Sequence, residues 1–163
     1  MSKRTRQIYF SASIKGVGAD PELGYKIVQH LIQQGHEVLS EHVGGRNQAE
    51  MDEVLLRRSG IDKTTLDAEA AAHHIRAIDM QWVDKADTLV AVITGPSLGV
   101  GMEIERALLK PERGLPATQI ICFVQAEYLD SLSLMIRGIR DEKFELLIYQ
   151  DFEEICEHLE NRL

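Results

Sequence analysis

Glu103, Asp79 and Tyr9 are the residues whose types and places could break a bond to a sugar. Two carboxylates facing each other across a sugar are the usual equipment for that chemistry. One attacks the anomeric carbon. The other donates a proton or hydrogen-bonds the sugar. Glu103 falls in the first turn of a helix expected from about Met102 to Lys110. A carboxylate there could simply complement the helix dipole, or it could face a ligand at the helix start. Asp79 lies one turn after Ile75, on the border of an apolar stripe. It could be a solvated flank residue or a second carboxylate entering a cleft. Tyr9, in the C-terminal half of a strand-like segment, could reach the same space, or be core alone.

Two loops could hold an anion. Ser11-Ala12-Ser13-Ile14-Lys15-Gly16 offers backbone N–H groups, hydroxyls and a cation. Pro96-Ser97-Leu98-Gly99-Val100-Gly101 offers further N–H groups at a helix N-terminus, where free donors and the dipole favour phosphate. The other reading is that the glycines only close turns. Neither loop has a Walker motif, and the first lacks the dinucleotide G-x-G-x-x-G spacing. His36, His42 and the pair His73-His74 have no H-E-x-x-H spacing, so they are read as surface histidines and no metal is expected. No cofactor is called for. No nucleophile-elbow motif signals a Ser-His-Asp set.

The elements that must position these residues alternate strand with helix. Gln7–Ser11, Glu37–Ser40, Thr88–Ile93, Gln119–Val124 and Phe144–Tyr149 have strand character. Asp20-Pro21 is a helix start, and Leu23, Ile27, Val28, Leu31 and Ile32 follow at helical spacing. Ala71, Ile75, Ile78 and Trp82 make a second stripe, with Trp82 as core. A short helix is expected over Leu129–Ile136 and an acidic one over Phe152–Leu163. Residues 44–66 show little apolar periodicity and are read as an irregular, mobile insertion, a long loop with some helix, within a single domain spanning 1–163. The pattern predicts an α/β fold: a doubly wound, flavodoxin-like sheet of five parallel strands in the order 2-1-3-4-5. Ligands of such sheets bind beyond the strand C-termini, where the order switches between strands one and three. That rule selects the loops Ala12–Gly18 and Thr94–Gly101.

Composition bounds the partners. The chain has 163 residues and a formal net charge of −8. Residues 141–163 carry eight acids against two bases, so the rest is nearly balanced. This argues against polymeric nucleic acid and anionic membrane, yet leaves room for one small phosphate at Lys15. No apolar run approaches the roughly 20 residues of a membrane helix. The basic start Met1–Arg6 leads into a strand-like segment rather than a signal-peptide core. Cys122 and Cys156, far apart in apolar surroundings, are read as buried free thiols, consistent with a reducing cytoplasm.

Several blocks occur together in order: Ile8–Gly16, Glu41-His42-Val43, Asp79-Met80-Gln81-Trp82, Pro96–Glu103 and Ser133–Gly138. In combination they resemble the 2′-deoxynucleoside 5′-monophosphate N-glycosidases of the Rcl type, within the nucleoside 2-deoxyribosyltransferase superfamily. The resemblance runs from about Ile8 to Tyr149. It implies hydrolysis of the bond between base and deoxyribose in a nucleoside monophosphate. It implies Glu103 as nucleophile at C1′, Asp79 as the second acid, and Tyr9 beside the nucleophile. Ser13, Ile14, Lys15, Gly16, Ser97 and Gly99 match the phosphate and sugar cradle. A homodimer is implied too, with Ser133 reaching the phosphate of the neighbouring site. The transferase branch carries asparagine near that last position, so serine favours a phosphorylated substrate.

This sequence departs from the family at Lys15, usually arginine, and at Ala12, usually glycine. Residues 44–66 match it poorly, and that region could shape the base pocket. Two other functions fit the same residues: a deoxyribosyltransferase acting on unphosphorylated nucleosides, and a non-catalytic module that senses a nucleotide.

Overall fold

The computed structural model describes residues 4–163, so Met1–Lys3 of the basic start lie outside the described residues. Its centre is a parallel sheet of β1 (Gln7–Ala12), β2 (Glu37–Val38), β3 (Thr88–Val92), β4 (Gln119–Gln125) and β5 (Phe144–Tyr149). The strand order is β2-β1-β3-β4-β5, as the alternating pattern predicts. In the register, Tyr9 pairs with Leu89, Ser11 with Ala91 and Ala12 with Val92.

Helices cover both faces: α1 (Pro21–Gln33), α2 (Gln48–Ser59), α3 (Ala68–Lys85), α4 (Leu98–Leu108), α5 (Leu134–Arg137) and α6 (Phe152–Glu160). Alternation along β1 divides the core. Ile8 and Phe10 pack with Ile27, Val28 and Leu31 of α1 and with Ile155 and Leu159 of α6. Tyr9 points the other way, to Trp82 and Val83 of α3, Val100 and Ile104 of α4, and Leu55 of α2. Each large apolar side chain so buried contributes roughly 1.5–3 kcal/mol relative to exposure.

Four expectations need correction. Residues 44–66 are more regular than a long loop with some helix: they contain the twelve-residue helix α2, capped by the Asn47 side chain and ended by Gly60 in the left-handed region at φ 75°. Only Met51 and Leu55 of α2 are buried, which is why its periodicity is faint. Helix α4 starts at Leu98, four residues earlier than expected, because Ser97 caps it. Glu103 therefore lies in its second turn rather than its first. His36 and His42 are buried, not superficial. His36 accepts from the Arg6 backbone N–H at 3.2 Å, and His42 packs on Trp82 with ring centroids 5.7 Å apart. Finally, Cys156 is partly exposed; only Cys122 is fully buried, its thiol pushed up to about 12 by burial. Among the described residues, no helix is long and apolar enough to cross a membrane.

Candidate active site

Strand β1 places two hydroxyls on one face, because Tyr9 and Ser11 are two residues apart. Both donate to the same carboxylate. The Tyr9 hydroxyl donates to Oε1 of Glu103 at 2.9 Å, and the Ser11 hydroxyl donates to Oε2. Helix α4 supplies Glu103 from beside its buried residues Val100 and Ile104, so the carboxylate leans over the end of β1. Burial raises the Glu103 pKa above the usual carboxylate value, while the hydroxyls of Ser11 and Tyr9 pull it back. Tyr9 is pushed well above its ordinary value by burial and then by the charges of Glu103 and Asp79. It therefore stays a proton-bearing donor.

Asp79 enters from α3, one turn after Ile75 and on the same side of the helix. Its side chain is 14% exposed. Burial, and then the charge of Glu103, push its pKa up to about 7. The Nε2 of His42 stands 3.8 Å from its Oδ1, too far for a hydrogen bond. Burial lowers the His42 pKa to about 4, so its ring is neutral at neutral pH. Nδ1 of His42 and Oδ1 of Asp79 are buried without a hydrogen-bond partner. Unpaired buried polar atoms lining a cavity are free for a ligand.

Glu103 and Asp79 line one cavity of about 490 Å³. This suits a small molecule. The cavity lining includes Ser13, Ile14 and Lys15 of the first loop, and Ser97 and Gly99 at the N-terminus of α4. The Ser13 hydroxyl donates to the Lys15 carbonyl at 2.9 Å and braces that loop. The two loops are locked by a glycine contact: a Cβ on Gly95 would fall 1.9 Å from the Val17 carbonyl oxygen. His42, Val43, Gln48, Met51, Asp52 and Lys63 line the cavity as well. Among the described residues, no group of three or more His, Cys, Asp or Glu side chains is placed to hold a metal ion.

Most residues singled out from the sequence thus converge. Tyr9 sits behind the cavity wall and touches it through Glu103. Gly16 does not line the cavity; it turns the loop after Lys15 at φ 95°. Ser133 does not line it either. It is exposed, and caps α5 by accepting from the Met135 N–H at 3.3 Å. Sequence reasoning missed Ser11 as a partner of Glu103, though its spacing from Tyr9 carried the signal. It also missed His42 as a cavity residue, and it pointed to the 44–66 segment without naming the α2 residues that line the cavity.

No family model matches this chain. A Thermofilum pendens protein provisionally named 2′-deoxynucleoside 5′-phosphate N-hydrolase 1 is 35% identical over 157 residues, covering 96% of this chain and 94% of the relative. The 5-hydroxymethyl-dUMP N-hydrolase of Rattus norvegicus is 35% identical over 147 residues, covering 90% of this chain and 78% of the relative. The structure of the Clostridium botulinum CMP N-glycosidase BcmB superposes with a TM-score of 0.60 over 96% of this chain and 99% of that one. At 17% identity this last likeness is one of fold. With relatives above a third identical across nearly its whole length, this chain belongs to the 2′-deoxynucleoside 5′-phosphate N-hydrolase family.

Proposed function

We propose that this protein hydrolyses the N-glycosidic bond of 2′-deoxynucleoside 5′-monophosphates through a glycosyl-enzyme intermediate on Glu103. The observation that carries this reading is the Glu103 carboxylate, gripped by Tyr9 and Ser11 and facing the cavity together with Asp79. In the first step a Glu103 oxygen bonds to C1′ as the bond from C1′ to the base nitrogen breaks. Asp79, part-protonated near pH 7, gives its proton to the departing base. In the second step water attacks C1′, Asp79 takes the water's proton, and Glu103 leaves as a carboxylate. The products are free base and deoxyribose 5-phosphate.

In this reading the 5′-phosphate lies at the α4 N-terminus, against Lys15, Ser13 and the backbone of Ile14 and Gly99. That grip is remote from the reacting bond and holds C1′ on Glu103. We also infer a homodimer in which Ser133 completes the neighbouring phosphate site. Exposed Leu98, Met102, Leu134 and Met135 give α4 and α5 the apolar surface such a contact needs.

The test is a panel of deoxynucleoside monophosphates, ribonucleoside monophosphates and free nucleosides, with base release followed by chromatography. Release from the deoxynucleoside monophosphates is expected, with loss of turnover in Glu103→Ala. No release from any substrate by folded protein would end the hydrolase reading and leave a nucleotide sensor. Base exchange outrunning hydrolysis, without need of phosphate, would select the transferase. Sedimentation and a Ser133→Ala variant test the dimer: a monomer with full activity would remove Ser133 from the site.

A further inference from the structure

One wall of the cavity carries a polar cluster that the cleavage chemistry does not use. Gln48 and Asp52 are one turn apart on α2, and Lys63 follows on the short helical turn Lys63–Thr65. The Gln48 amide nitrogen donates to Oδ1 of Asp52 at 2.8 Å, and the Lys63 ammonium donates to the same oxygen at 2.7 Å. All three residues line the cavity that holds Glu103 and Asp79. These donors hold the Asp52 carboxyl below its ordinary value, so it is ionised at neutral pH.

Both groups donate to one oxygen. Oδ2 of Asp52 accepts no hydrogen bond from the described residues. With the Gln48 nitrogen turned to Asp52, its amide oxygen is also an open acceptor. Lys63 keeps two further N–H donors. The cluster thus offers two acceptors beside one cation at the cavity lining. It is built from α2 and the turn that follows it. An exocyclic amino group carries two N–H donors on one atom and can satisfy both acceptors; the adjacent ring nitrogen or carbonyl oxygen then accepts from Lys63. A uracil or thymine edge offers one N–H between two carbonyls, and leaves an acceptor of the cluster facing oxygen. Sites built to hydrogen-bond a substrate group reject analogues that lack it.

We propose that Asp52, Gln48 and Lys63 form the base-reading wall of this site and select nucleobases bearing an exocyclic amino group over uracil and thymine. The assignment rests on the proposed nucleotide site and names which bases it takes. The probes are dCMP, dUMP and 5-hydroxymethyl-dUMP, read two ways: kcat/KM for base release, and binding by calorimetry. The wild-type protein is expected to favour dCMP over either uracil nucleotide by tenfold or more. Asp52→Asn, which keeps shape and replaces one acceptor with a donor, is expected to erase that ratio by lowering dCMP while dUMP changes little. Gln48→Leu supplies a second variant at an exposed position and should lower the ratio in the same direction. A wild-type preference for either uracil nucleotide, or an unchanged ratio in both folded variants, would overturn the assignment. Because binding reads the ratio without turnover, failure of the hydrolase reading is seen separately, as binding with no base released.

Discussion

The Tyr9 hydroxyl donates to Oε1 of Glu103 at 2.9 Å, joining the first strand to the fourth helix inside the sheet's switch point. The ring is fully buried, so the hydroxyl is aimed by packing rather than by its own rotamer freedom. Tyr9→Phe keeps that packing and deletes only the donor. Its thermal midpoint should move little, since one such bond is worth about 1 kcal/mol. Turnover should fall roughly 10–100-fold. The Tyr9 bond also lowers the Glu103 pKa, so its loss should shift the acidic limb of the pH–rate profile upward. An unmoved limb with full turnover would detach Tyr9 from Glu103 function.

Asp79 sets the opposite limb. Its pKa of about 7 means that the proton-donating form is lost as pH rises through neutrality, so kcat should decline above about pH 7. Asp79→Asn should abolish that decline together with most of the activity.

The same group has a stability signature. Its folded pKa is raised above its unfolded value, so its contribution is full below pH 3.8 and is lost as pH rises toward about 7. His42 has the reverse sign: its folded pKa is lowered, so its contribution is full above pH 6.5 and is lost as pH falls toward about 4. Asp79→Asn should therefore be more stable than wild type at pH 8, by on the order of 1–3 kcal/mol, and gain little at pH 4. Denaturant melts at both pH values check this. Equal gains at both would point to packing rather than to the charge.

Lys15 tests the phosphate end. Lys15→Ala should raise KM for a deoxynucleoside monophosphate about 10–100-fold, the worth of one charged hydrogen bond, and leave KM for the free nucleoside unchanged. Lysine gives charge without a bidentate fork, so the wild-type affinity should weaken with added salt. A Lys15→Ala variant that loses both substrates equally would place the phosphate elsewhere.

The fold was legible because buried parallel strands are nearly continuous apolar runs and the first and third helices carry clear stripes. The two-loop site followed from strand order alone. Helix α2 was not legible, since two buried residues among charged neighbours leave no periodicity, although Asn47 and Gly60 marked its ends. Without α2 the 44–66 segment could be tied to a base pocket only as a whole, with no residue of its wall named. His42 was illegible for a related reason: its burial depends on Trp82, forty positions away, and on the α2 wall. Ser11 is different. Its two-residue offset from Tyr9 was in plain view, and only the polar loop that follows drew attention away from it.

The contact between the loops gives a last prediction. A Cβ on Gly95 would meet the Val17 carbonyl oxygen at 1.9 Å, and one on Gly18 would meet the Gly95 backbone at 2.7 Å, with Gly18 at φ 78°. Neither neighbour can yield without moving a loop, because the clashing atoms are backbone. Gly95→Ala should therefore push the Ser13–Lys15 loop away from the α4 N-terminus. The expected cost is about 1–3 kcal/mol of stability, with a rise in KM for phosphorylated substrate. Gly101→Ala is the matched control: it lies inside α4, and an added Cβ meets nothing within 4 Å. There alanine should stabilise the helix by roughly 0.5–1 kcal/mol. If Gly95→Ala melts and binds like wild type, the loops are aligned by something other than their glycine contact.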